Sequence, residues 1–422
     1  MKPGRSCTST LLLSCGITLL AGAWFGAPAQ AQDLRIGFLA PTTGIFTQVG
    51  TDMINGFQMY LDEHQGELGG AKATFVLEDT QAKPDTAVTK ANKLILQDKV
   101  HMLVGGLLAS TAYALAPVST REKMLYVGSI ATADDLAQRQ FEKYPYMVRP
   151  TWGTPSQVSH PLGQWACEQG YKRIASIAAD YAFGHETLGG FQKTFEDCGG
   201  RIVQKIWPPI GTKDFGPYIP TLKKDIDAIF TLMVGPMSLQ FPKQLRASGN
   251  KKPIVAGGTS YDEFILPSMG DEVIGDVSVL MYSAALDTPR NAEFVKKYRA
   301  KYGKVPSYYS EANYTTAHWI DETMKKHSGN YPGPLEFIKT MSGIKLDALR
   351  GPLHLDDRLT VVQNIYIKKV EKKKMFGYDK DELWNTVIKT YPNVGQFWTY
   401  DKDAFLKQPL YSRDFPPCRY CE

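Results

Sequence analysis

The signatures of catalysis are missing from this 422-residue chain. No G-x-G-x-x-G follows the first apolar segment and no G-x-x-x-x-G-K-[ST] occurs, which removes the dinucleotide fingerprint and the P-loop. A G-x-S-x-G elbow is absent as well, and with it the nucleophile of an α/β hydrolase. The seven histidines (His64, His101, His160, His185, His318, His327 and His354) are scattered, without H-E-x-x-H or other metal spacing. His185-Glu186 stands at a helix start, where capping chemistry is the simpler reading, and Asp356-Asp357 falls in a turn with Arg358 as partner. No cofactor is implied. Charge of one sign is also scarce. The 48 basic and 43 acidic residues leave a formal +5, and Lys2 and Arg5 belong to a leader, which argues against nucleic acid as a partner. Beyond that leader no run approaches the ~20 apolar residues of a membrane helix. With 43% apolar and 22% charged residues, disorder and fibrous repeats are excluded too.

The leader sets the compartment. Lys2 and Arg5 precede the apolar run 11–20, and Ala29-Gln30-Ala31 is an A-x-A cleavage signal, so 1–31 reads as a signal peptide cut before Gln32. The mature chain is expected in the periplasm as a soluble monomer. A rival lipoprotein cut at Cys15 would leave the apolar residues after it without a use. Cys7 and Cys15 depart with the leader, which leaves Cys167, Cys198, Cys418 and Cys421 in an oxidising compartment. Cys167 and Cys198 sit at two successive expected helices, so a bridge between them is expected. Cys418 and Cys421 form a C-x-x-C with no further Cys or His nearby, which favours a small loop disulfide over a metal or redox site.

After the leader, short apolar strands alternate with amphipathic helices. Strands are expected at 34–40, 73–78, 101–105 and 125–128, with helices at 52–65, 84–98 and 111–122 between them. The pattern restarts after Trp152, with helices at 155–169, 185–198, 215–224 and 240–248 and strands at 173–178, 201–207, 228–233 and 253–256. A strand near 278–284, helices at 291–302 and 311–326 and an extended hairpin over 351–374 follow. Such alternation predicts an α/β fold of two Rossmann-like lobes with parallel sheets, joined by a three-segment hinge near Pro150, Tyr282 and Gly351. The expected division is 32–150 plus 283–353 for lobe 1 and 151–282 plus 354–405 for lobe 2, with 406–422 as a tail.

Ligands of open parallel sheets bind at the carboxyl ends of strands. The loops there are 41–50 with Phe46, 105–111 with Ala109 and Ser110, and 128–133 with Ile130, Ala131 and Thr132. Their glycines permit close approach, and hydroxyls beside a helix start suit a carboxylate. The second half contributes aromatic rings instead: Trp152 after the first crossing, Tyr181 and Phe183 in Asp180-Tyr-Ala-Phe-Gly184, Thr259 and Tyr261 in 257–261, and Tyr282 at the second crossing. Gly235 and Glu311 complete the candidates. Flat rings on loops give a flat ligand apolar faces.

The leader, Arg35-Ile-Gly-Phe-Leu-Ala-Pro-Thr-Thr-Gly44, Gly50-x5-Gly56, Leu77-Glu-Asp-Thr80, Asp180-Tyr-Ala-Phe-Gly184, Lys213-Asp-Phe215 and Gly351-Pro-Leu together resemble the periplasmic solute-binding proteins of the branched-chain amino-acid type, which serve ABC importers. The resemblance runs to about Lys374. It implies a type I periplasmic binding protein that closes on its ligand and delivers it to a membrane permease. In amino-acid-binding members the loops matching Ala109, Ser110, Ile130, Ala131 and Thr132 hold the carboxylate, while an acidic residue and a tyrosine hold the ammonium. Here Thr259 and Phe183 stand at those two positions, and neither carries negative charge. The expected ligand is therefore a small aromatic carboxylate, benzoate-like or phenylpropanoid, which places the chain in an aromatic-acid-binding subgroup. An amino-acid or amide ligand, met by Glu311 or Asp262, is the alternative. An exported hydrolase using Ser110 and His101 is a remote one, since these two lie at opposite ends of a strand.

Overall fold

The computed structural model describes residues 33–131 and 133–421, with Met1, Pro3, Gly4 and Ser6. The leader signals at Lys2, Arg5, 11–20 and 29–31, with Cys7 and Cys15, lie outside the described residues, and so does Thr132.

Leu34–Ala40 is apolar on both faces and buried except for Arg35, so it must be covered by helices on each side, and this favours parallel pairing. It pairs in parallel with Ala71–Asp79 on one flank and Met102–Gly105 on the other. Among the described residues the first sheet has six strands, ordered Glu67–Leu68, Ala71–Asp79, Leu34–Ala40, Met102–Gly105, Leu125–Val127, Met147–Val148. The second sheet repeats this order. Arg201–Ile206, Arg173–Ala178, Ala228–Leu232, Ile254–Ala256 and Val277–Leu280 lie side by side and parallel. Each sheet therefore reverses its winding once, between Leu34–Ala40 and Met102–Gly105 in the first lobe and between Arg173–Ala178 and Ala228–Leu232 in the second.

Antiparallel strands extend the second sheet. Val361–Lys373 pairs with Val277–Leu280 and with Glu382–Val394, while Leu346–Ala348 and Gly351–Leu355 follow on its far side. After Val277–Leu280 the chain returns to the second sheet at Leu346, and the long strand Glu382–Val394 lies beyond the expected hairpin. The helix expected over 215–224 is not formed: only the single turn Ile219–Thr221 appears. Pro217 and Pro220 remove two helical N–H donors there and clash with the preceding turn. Among the described residues no helix is long and apolar enough to cross a membrane.

Disulfides join Cys167 to Cys198, tying the ends of helices Pro155–Glu168 and Ala182–Asp197, and Cys418 to Cys421 in the tail. The tail packs on the same helices through buried Tyr411, whose hydroxyl lies 3.2 Å from His160 Nε2.

The helix Tyr308–Lys325 packs against Thr47–Glu63 so closely that a Cβ on Gly56 would fall 1.9 Å from the Ser310 carbonyl oxygen. It carries Glu311, which is fully buried and ion-paired with the fully buried Arg350. Arg350 also donates to the Thr151 carbonyl at 2.9 Å and to Gln363 Oε1 at 3.2 Å, and Thr315 donates to Glu311 at 2.6 Å. One guanidinium thus fastens the first crossing to the third. Glu311→Gln leaves that guanidinium buried without its anion, so urea unfolding of the mature chain is expected to show a loss of about 3–5 kcal/mol. A loss under about 1 kcal/mol would mean the pair does not hold the crossings.

Candidate functional site

The two winding reversals face each other across one cavity. Phe46 and Val49 come from the loop and helix after Leu34–Ala40, and Leu107, Leu108 and Ala109 follow Met102–Gly105. From the second lobe, Tyr181 and Phe183 follow Arg173–Ala178, and Val234 and Gly235 follow Ala228–Leu232. Ile130, Trp152, Thr259 and Tyr309 close the sides. Strand ends at a topological switch cannot both be covered by one helix, which leaves a crevice there.

The cavity is a slot. It encloses about 480 Å³ counted out to its mouth. The lobes touch at its edge: a Cβ on Gly235 would lie 3.2 Å from Phe46 Cε1. Trp152 packs edge-on against Phe183 and Tyr308, with ring centroids 5.6 Å and 4.8 Å apart. Such a space takes a molecule one ring thick.

Its electrostatics come from the backbone. Among the described residues, no Asp, Glu, Lys, Arg or His lines the slot. Four helices begin at its walls: Thr47–Glu63, Ala109–Arg121, Ala182–Asp197 and Met237–Ala247. None has a side-chain cap and none has an acidic residue in its first turn. Turn carbonyls take up the N–H groups of Thr47, Thr111, Met237, Ser238 and Leu239, whereas those of Ala109 and Ser110 stand before the first intrahelical bond, and the helix dipoles add positive potential. Uncharged donors complete the polar set. Trp152 is 2% exposed and its Nε1–H has no partner among the described residues. Thr259 and Tyr309 line the slot together, and burial pushes the Tyr309 phenol up so that it stays a neutral donor. Tyr181 is held neutral by burial in the same way.

Of the residues singled out from sequence, Phe46, Ala109, Ile130, Trp152, Tyr181, Phe183, Gly235 and Thr259 meet at this slot. The others do not. Ser110 is exposed, so its hydroxyl is not part of the lining, although its main chain opens the Ala109 helix. Ala131 is buried and gives its N–H to the Gly106 carbonyl at 3.0 Å. Tyr261 turns into the second core and donates to Asp276 at 2.9 Å, while Tyr282 donates to Asn291 at 2.9 Å. Glu311 is occupied by Arg350. Asp262 accepts the Tyr308 and Phe264 N–H groups at 3.1 Å, which leaves neither acid as a ready partner for an ammonium in the slot. Sequence reasoning missed Val49, Leu107, Leu108, Val234 and Tyr309. The leucine pair lay inside the loop already marked at 105–111, whereas nothing local marks Tyr309.

A family model described as periplasmic binding protein matches residues 33–374. The Leu/Ile/Val-binding protein homolog 6 of Brucella melitensis biotype 1 is 27% identical over 376 residues, covering 87% of this chain and 94% of that one. A solute-binding protein of an ABC transporter from Rhodopseudomonas palustris BisB5, solved with 3,4-dihydroxybenzoic acid, superposes with a TM-score of 0.80 at 32% identity over 86% of this chain and 98% of its own. An R. palustris solute-binding protein solved with 4-hydroxybenzoate gives a TM-score of 0.79 at 28% identity, with coverage of 86% and 98%.

Gly235 has φ +53°, a left-handed conformation that costs a side chain about 1 kcal/mol, and its Cβ would press on Phe46. Gly235→Ala is expected to lower unfolding stability by about 1–2 kcal/mol in a urea titration. An unchanged midpoint would show that the lobes do not meet there as described.

Proposed function

The chain belongs to the periplasmic binding protein family, and from that premise we propose that it is the capture component of an ABC transporter for a small aromatic carboxylate of the benzoate type. The observation that carries this reading is a slot walled by four uncapped helix starts without one charged side chain among the described residues. A carboxylate gains there from backbone N–H groups, with those of Ala109 and Ser110 the best placed. The ring lies against the Trp152–Phe183 pair and Phe46, and a substituent hydroxyl meets Thr259 and Tyr309. Similarity to proteins solved with hydroxybenzoates supports the ligand class.

In this account the leader is cleaved before Gln32, and the mature monomer works in the periplasm. It closes its lobes on the ligand, hands the ligand unchanged to the membrane permease, and performs no catalysis. The names of the Brucella relatives favour a second reading, a branched-chain amino acid. Its ammonium would be stripped of water with no anion to receive it. Even a net penalty of about 3 kcal/mol weakens binding roughly a hundredfold.

Calorimetric titration separates the two. 4-Hydroxybenzoate is expected to bind at least about a hundredfold more tightly than leucine or phenylalanine. Trp152→Phe, which keeps a ring and removes the indole donor, is expected to weaken the acid by roughly fivefold to tenfold, about one hydrogen bond. Equal affinity for leucine and 4-hydroxybenzoate would sink the aromatic-acid reading.

A further inference from the structure

Two carboxyl groups meet across the cleft, away from the slot lining. Asp134 opens the short helix Asp134–Gln138, which follows the first-sheet strand Leu125–Val127. Glu186 lies on Ala182–Asp197, which follows the second-sheet strand Arg173–Ala178. They are 0% and 1% exposed, and the Asp134 N–H donates to Glu186 Oε2 at 3.1 Å. Asp134 Oδ1 accepts the Ser156 N–H at 3.2 Å, and its Oδ2 has no hydrogen-bond partner among the described residues.

No ion pair reaches either carboxyl among the described residues. Asp135, on the same short helix, adds a further negative charge beside Glu186. From the other elements packed here come the phenols of Tyr113, Tyr181 and Tyr411, all kept neutral by burial. Arg139 is the cation that Asp134 feels, but its guanidinium is engaged by the Gln408 carbonyl and by Gln138. His185 is turned onto Asp180 at 2.8 Å.

Two carboxylates cannot both stay ionised in a dry interface without a cation. Asp134 keeps a main-chain donor at the start of the Pro155–Glu168 helix, which favours its anion. Glu186 has only the Asp134 N–H, and Asp134 Oδ2 lacks a donor. We propose that closure of the two lobes takes up a proton onto Glu186, so that ligand capture is coupled to pH. The proposal rests on the reading of the cleft as a ligand site that closes. Burial and the Asp134 charge push the Glu186 carboxyl well above the usual carboxylate range in the closed state, whereas a separated cleft returns it to water. A carboxyl raised on closing favours the closed form below its open-state value of about 4.3 and loses that advantage as pH rises toward the closed-state value. Acid therefore strengthens capture, and affinity falls through the window in between.

The test is calorimetric titration of 4-hydroxybenzoate into the mature chain at about pH 5.5, 6.5 and 7.5, where the ligand carboxylate and ordinary exposed carboxylates stay ionised. Each point is run in two buffers of different ionisation heat. The Kd is expected to rise by up to about tenfold per pH unit, and the buffer difference to report uptake of about one proton. Glu186→Gln, which places a permanent neutral donor beside Asp134, is expected to bind with a Kd that no longer follows pH. A wild-type Kd flat across the range, no proton uptake, or the same slope in Glu186→Gln overturns the coupling. The buffer measurement needs no variant. If 4-hydroxybenzoate does not bind at any pH, the benzoate reading falls, and small-angle scattering without ligand then tests the proton. A more compact chain at about pH 5.5 than at 7.5 supports the coupling, and equal radii contradict it.

Discussion

Four helices start at the walls of one narrow slot, and none of them uses a side-chain cap or an acidic first turn to satisfy its own free N–H groups. Elsewhere in the chain helices do so: Thr154 caps Pro155–Glu168 with a full capping box, and Thr288, Ser307 and Asp401 cap the helices that follow them. Among the described residues, the α-helix starts that lack both a side-chain cap and an acidic first-turn residue are the four at the slot. Positive potential without a positive side chain selects an anion yet lets it leave again, because no desolvated ion pair has to be broken on release. Neutral phenols and an indole then discriminate among anions by shape and by hydroxyl placement.

That arrangement depends on the hinge. The slot exists only while the winding reversals of two sheets face one another, and three crossing segments hold them in register. The buried Glu311–Arg350 pair fastens the first crossing, through the Thr151 carbonyl, to the third. Arg149 does the same one step earlier, donating to the Arg358 carbonyl at 2.8 Å and to Thr360. Both cations serve the frame. Keeping them at the crossings gives each a set of fixed acceptors and keeps the binding surface free of charge.

The fold was legible because period and spacing are local properties. Apolar strands, amphipathic helices and Gly-rich strand ends announced both lobes, and the loops at 105–111 and 180–184 already named the slot walls. Where reading failed, the cause was non-local. Glu311 looks like a candidate ligand contact until Arg350 is brought to it from 39 positions later in the chain. Tyr261 resembles its slot-lining neighbours in composition, but the buried Asp276 carboxylate draws its hydroxyl inward. Tyr309 belongs to a helix distant in sequence from every loop it joins. Ser110 was chosen for its hydroxyl, whereas the structure leaves only its main chain well placed. The 215–224 segment had an explicit warning in Pro217 and Pro220, which outweighed its apolar spacing.

The central claim is that main-chain groups hold the acid. A crystal structure of the mature chain with 4-hydroxybenzoate tests it most directly. The account places the carboxylate oxygens within about 3.2 Å of the Ala109 and Ser110 nitrogens, with the ring beside Trp152 and Phe183 and the phenol toward Thr259 and Tyr309. A carboxylate paired instead with a lysine or arginine side chain, or turned toward Thr259 and Tyr309, would contradict it.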